Sequence, residues 1–115
     1  MMTNQIEELI LKEVDLKISQ SNNQLEKLIL DLFKSAILKK YKDQYNTEIL
    51  KGEVKTETIN KYIDFLFADT CVKFRSIPTI SDVTKDTELN NAKEDLDTLK
   101  IIVTKMLSDR GVKIQ

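Results

Sequence analysis

The chain has 115 residues, 41% apolar and 32% charged, with 18 basic side chains against 19 acidic ones, no His, no Trp, one Cys, one Pro and two Gly. That apolar fraction and a net charge of −1 exclude a disordered chain, and a single Cys excludes an internal disulfide. The length suits one domain over residues 1–115, large enough to bury a core.

There is no run of 18 apolar residues, so no membrane span is expected. The stretch MMTNQIEELI has no basic residues ahead of its first apolar ones, unlike a signal peptide. A cytoplasmic location, bacterial or inside a host cell, is the expectation. Only Arg75 and Arg110 are Arg, the other 16 basic residues are Lys, and there are 13 Ile and 7 Asn. That usage suits a low-GC bacterium, its phages or its mobile elements. Residues 1–60 carry nine basic and ten acidic side chains, and residues 61–115 carry nine of each. Neither half is the concentrated basic surface that a phosphate backbone needs.

Taken in chain order, the apolar spacing predicts an all-α fold. The predicted helices span about 4–18, 23–45, 57–75 and 87–110, in a small, mostly antiparallel bundle. In the first, Asn4 with Glu7 makes a capping box, and Ile6, Ile10, Leu11, Val14 and Ile18 share a face. Residues 19–24 hold no apolar side chain, and Asn23 with Glu26 makes a second capping box, so a turn is predicted near 19–23. A rival pattern, Leu11, Ile18, Leu25 and Leu32 seven apart, suits one continuous helix.

The second helix is apolar on two sides. Leu25, Leu28, Ile29, Leu32 and Ala36 make one face, and Leu30, Phe33, Ile37 and Tyr41 the other. Such a helix is central to its own domain or buried in an oligomer. Its end carries Lys34, Lys39, Lys40 and Lys42, which complement the helix dipole and are candidates for contact with phosphate or an acidic partner. Residues 46–52 read as one helical turn closed by Gly52.

Thr56 is the predicted cap of the third helix, where Ile59, Tyr62, Ile63, Leu66 and Phe67 keep helical spacing and Phe65 and Phe74 widen the face. Pro78 ends it, and Ile80–Lys85 reads as a short turn capped by Thr79 or Ser81. Asp86 or Thr87 is the predicted cap of the last helix. Its seam, Leu89, Ala92, Leu96, Leu99, Val103 and Met106, steps by three and four. Its early turns are acidic and its later ones basic. Gly111 closes it, with Val112 meeting Leu107 across a Schellman-type turn, and residues 112–115 are expected to fray.

No residue set specifies a reaction. Without His, the commonest acid/base group near neutral pH is missing, and Cys71 has no imidazole to activate it, so an inert buried thiol is expected. Isolated glycines cannot build a phosphate loop, and zinc lacks ligands. Glu7, Glu8, Glu26 and Asp31 are the carboxylates available to a magnesium-dependent, all-α nucleotide hydrolase, but Glu26 and Asp31 are five apart and so on different faces. A helix-turn-helix starting over 54–67 would have a recognition helix carrying Asp64 and Asp69, which repel phosphate and disfavour DNA reading. The expectation is therefore a non-enzymatic protein-interaction or assembly factor with no metal or cofactor and no small-molecule substrate. It would bind a protein partner or itself through apolar helical surface, with Phe33, Ile37, Tyr41, Phe65, Phe74, Ile77 and Pro78 as candidates. A nucleic-acid-associated regulator using Lys34–Lys42 is the alternative.

Overall fold

A computed structural model describes residues 5–39 and 53–115. It is a small all-α bundle of four helices: α1 (Gln5–Gln20), α2 (Gln24–Lys39), α3 (Thr56–Arg75) and α4 (Asp82–Asp109). Two short strands, β1 (Glu53–Val54) and β2 (Lys113–Ile114), form a parallel pair. Ion pairs fix the relative directions of the helices. Lys17–Asp95 and Arg110–Glu8 run α1 and α4 antiparallel, and Arg75–Asp86 and Lys100–Asp64 do the same for α3 and α4.

The helix break falls where predicted. Residues 21–23 separate α1 from α2, and the Asn23 side-chain oxygen accepts from the backbone N–H groups of Leu25 (2.9 Å) and Glu26 (3.2 Å). The reciprocal half of the capping box is replaced: the Asn23 N–H donates to the Ser21 hydroxyl at 3.2 Å, not to Glu26. The Glu26 side chain is left for another use. Asn4, the second helix beyond Lys39 and the turn at 46–52 lie outside the described residues.

The two apolar sides of α2 are both used within the chain. This helix packs against α1, α3 and α4, which buries Ile29, Phe33, Ala36 and Ile37. Like α4, it meets all three other helices, so most of its extra apolar face is core and not surplus surface. The main core joins Leu9, Ile10 and Val14 of α1 to Phe33 and Ile37, to Tyr62, Ile63 and Leu66 of α3, and to Leu99, Val103 and Leu107 of α4. A second cluster at the other end gathers Ile29, Phe74 and Leu89, with Ile77, Ile80 and Ala92 packed against it. The seam of α4 is therefore satisfied inside the bundle.

Three local expectations are corrected. First, α4 begins at Asp82, with Ser81 as its cap, so Ile80–Lys85 is not a separate turn and neither Asp86 nor Thr87 is the cap. The Ser81 hydroxyl accepts from the Thr84 N–H at 3.2 Å and so meets the capping demand one turn earlier. Second, Thr56 is the first residue inside α3 and Lys55 stands at its cap without a side-chain bond. The Thr56 N–H donates instead to the Gln115 carbonyl at 2.9 Å. Third, residues 112–115 are not frayed. Gly111 takes φ +89°, the Val112 N–H reaches the Leu107 carbonyl and the Gly111 N–H reaches that of Ser108, both at 3.0 Å, which is the predicted Schellman turn. That turn buries Val112 and aims β2 at β1, where the Gln115 N–H donates to the Val54 carbonyl at 2.9 Å.

Candidate functional site

The predicted contact residues separate into three groups. Phe33, Ile37 and Phe74 are 0–2% exposed, so they are core and present no surface to a partner. Phe65 is 49% exposed, Pro78 is exposed and Ile77 is half-buried, packed on the second cluster. Tyr41 lies outside the described residues.

The predicted basic end is only partly in view. Lys34 forms a 2.6 Å ion pair with Asp15 of α1, which neutralises it within the bundle. The side chain of Lys39, together with Lys40 and Lys42, lies outside the described residues. Several other cations are also matched: Lys17 with Asp95, Lys61 with Glu57, Lys73 with Asp69, Arg75 with Asp86 and Lys100 with Asp64.

Among the described residues, no three carboxylates or thiols converge so as to hold a metal ion. Glu8 is turned to Arg110 at 3.8 Å and Asp31 is exposed. Cys71 is half-buried, and burial pushes its thiol pKa up, against a weaker downward pull from Arg75. A thiol held protonated is a poor nucleophile. No described helix is long and apolar enough to cross a membrane.

Two features among the described residues are taken as candidates for binding. The first is on α3. Ile59, Ile63, Leu66, Thr70 and Phe74 bury one face, while Phe65, Ala68 and Val72 stand on the opposite face at i, i+3 and i+7. Val72 is 67% exposed. Ion pairs flank the stripe, Lys61–Glu57 at 2.9 Å on one end and Arg75–Asp86 at 2.8 Å on the other. Phe65 was among the candidates read from the sequence; Ala68 and Val72 were not. Their signal was available in the spacing, since both fall opposite Ile59, Ile63 and Leu66 on a helical wheel.

The second feature is a cavity of about 40 Å³ between α1, α2 and α4. Val14, Ile29, Phe33, Leu96 and Leu99 supply apolar wall with Leu30, Ala92 and Ile102 and with Phe67 of α3, and Glu13, Lys17, Glu26 and Asp95 add the polar lining. Lys17 and Asp95 are paired at 3.1 Å and are about 40% exposed, which places the charged side at the opening. No sequence pattern points to this cavity, because its walls come from separate helices whose faces each read as ordinary core.

No known protein family, curated protein or solved structure matches this chain.

Proposed function

We propose that this chain is a non-enzymatic protein-interaction or assembly module that docks a partner through the outward face of α3. The observation that carries the reading is the Phe65–Ala68–Val72 stripe, held exposed on a helix whose opposite face is anchored in the core. A rigid helix with a small residue between two larger apolar ones suits a partner helix laid along it. The stripe is short. A stable interface buries roughly 800 Å² on each partner, so association through this face alone is weak and reversible. The Lys-, Ile- and Asn-rich composition suits an origin in a low-GC bacterium, its phages or its mobile elements.

Size-exclusion chromatography with light scattering, run over a concentration series and with chemical crosslinking in the source cells, tests this. The parent protein is expected to give crosslinked species, with itself or with one reproducible partner. The double variant Phe65→Glu with Val72→Lys should lose them while keeping the same circular dichroism. A parent that stays monomeric, with no crosslink that depends on these two residues, sinks the reading.

A further inference from the structure

We propose that the cavity between α1, α2 and α4 is a binding site for a small hydrophobic cation, an ammonium group carrying a short alkyl chain. Its walls are apolar and come from all four helices: Val14 of α1, Ile29 and Phe33 of α2, Phe67 of α3, and Ala92, Leu96 and Leu99 of α4. A volume of about 40 Å³ admits one or two carbon atoms, the end of a short alkyl chain whose remainder lies in the half-exposed opening. Water gains little in such a space, since it needs about two to four polar partners to settle. A methylene moved into it from water strengthens binding about fourfold.

Charge at the opening selects the other half of the ligand. Three carboxylates and one ammonium line the cavity, and the ammonium of Lys17 is already committed to Asp95 at 3.1 Å. Glu13 and Glu26 are both half-buried, and neither side chain makes an ion pair or hydrogen bond with any described residue. The capping role that the position of Glu26 offers is taken by Ser21, whose hydroxyl accepts from the Asn23 N–H. Two uncompensated carboxylates beside an apolar cavity favour a cation with an apolar tail. The tail enters the cavity and the ammonium stays at the half-exposed opening. An anion of the same shape meets repulsion, and a neutral alcohol gains only the apolar contact.

The test uses the full chain with methyl-labelled Ile and Leu, titrated by NMR with n-butylammonium, n-butanol and butyrate. Saturable shifts are expected at the methyls of Ile29, Leu96 and Leu99, with n-butylammonium binding about fivefold more tightly than n-butanol. Butyrate should bind about tenfold more weakly than n-butylammonium, and added salt should narrow that gap. The double variant Glu13→Gln with Glu26→Gln keeps the alcohol affinity and abolishes the preference for the cation. Ala92→Leu, which narrows the cavity from the α4 wall, abolishes binding of both. Equal affinity for n-butylammonium and butyrate, an unchanged preference in the Gln variant, or no saturable shift at these methyls overturns the proposal.

Discussion

The Lys85 ammonium donates a 2.8 Å hydrogen bond to the backbone carbonyl of Arg75, so the second turn of α4 closes the last turn of α3. Lys85 is only 5% exposed. Its neighbour Asp86 holds the Arg75 guanidinium at 2.8 Å, and the two consecutive residues therefore grip the backbone and the side chain of one helix end. A cation on the last carbonyls of a helix complements the dipole and satisfies an acceptor that the helix itself leaves open.

Lys85→Met should therefore destabilise the fold by about 1.5–3 kcal/mol, since a buried hydrogen bond to a charged donor is lost and the carbonyl is left without it. Asp86→Ala breaks only an ion pair whose side chains are 52% and 60% exposed, and should cost under about 1 kcal/mol. Urea denaturation of the two variants beside the parent measures both. Equal costs would mean that the buried bond contributes no more than the exposed pair.

The four helices are legible in the sequence because each keeps apolar residues at spacings of three and four. The start of α4 is not legible. Val83 is 77% exposed and Lys85 is a cation at a buried position, so the apolar seam begins only at Leu89, two turns inside the helix. The strand pair is also hidden, because two residues cannot show a period of two and their partners lie about sixty positions apart. The face of α2 was misleading for a different reason. Periodicity shows how much of a helix is apolar, but not how many neighbours it has, and α2 has three. The stripe on α3 lay within reach of the spacing rule; the cavity did not.

Truncating buried and exposed aromatics separates core from contact surface. Phe74→Ala and Phe33→Ala should each cost about 3–5 kcal/mol, because both rings are at most 2% exposed. Phe65→Ala, at a ring 49% exposed, should cost under about 1.5 kcal/mol while removing partner crosslinks. Thermal unfolding gives the first comparison and crosslinking the second. A large loss of stability from Phe65→Ala would assign that ring to the fold.

The end of the chain is expected to behave as structure. Deleting residues 112–115 removes the buried Val112, the pairing of β2 with β1 and the bond from the Thr56 N–H to the Gln115 carbonyl. The loss should be about 2–4 kcal/mol, from one apolar side chain and a few backbone hydrogen bonds. Hydrogen exchange provides the local readout: the Thr56 amide should change from protected to fast. Gly111→Ala is the milder form. Nothing lies within 4 Å of the added Cβ, so its cost is that of φ +89°, about 1–2 kcal/mol. Unchanged protection at Thr56 after the deletion would show that the strand pair does not hold in solution.

Stability should fall on the alkaline side in two stages. Burial holds the Cys71 thiol above its ordinary value of 9.0. Burial pulls the Lys100 ammonium down, but its hydrogen bonds and charge attraction to Asp64 (2.6 Å) and then Asp97 (3.5 Å) outweigh this and hold it above 10.5. Both groups therefore bind their proton more tightly in the folded chain. Their contributions are complete below the unfolded values and are lost as pH rises through the folded ones. The urea midpoint should begin to fall above pH 9.0, where the unfolded thiol ionises first, and fall again above 10.5. Cys71→Ala should flatten the first stage and Lys100→Met the second, each without altering the other. The Lys100 stage should be small, since Asp64 and Asp97 are more than 60% exposed and screened by solvent. A midpoint that rises with pH in this window would reverse the sign and remove both assignments.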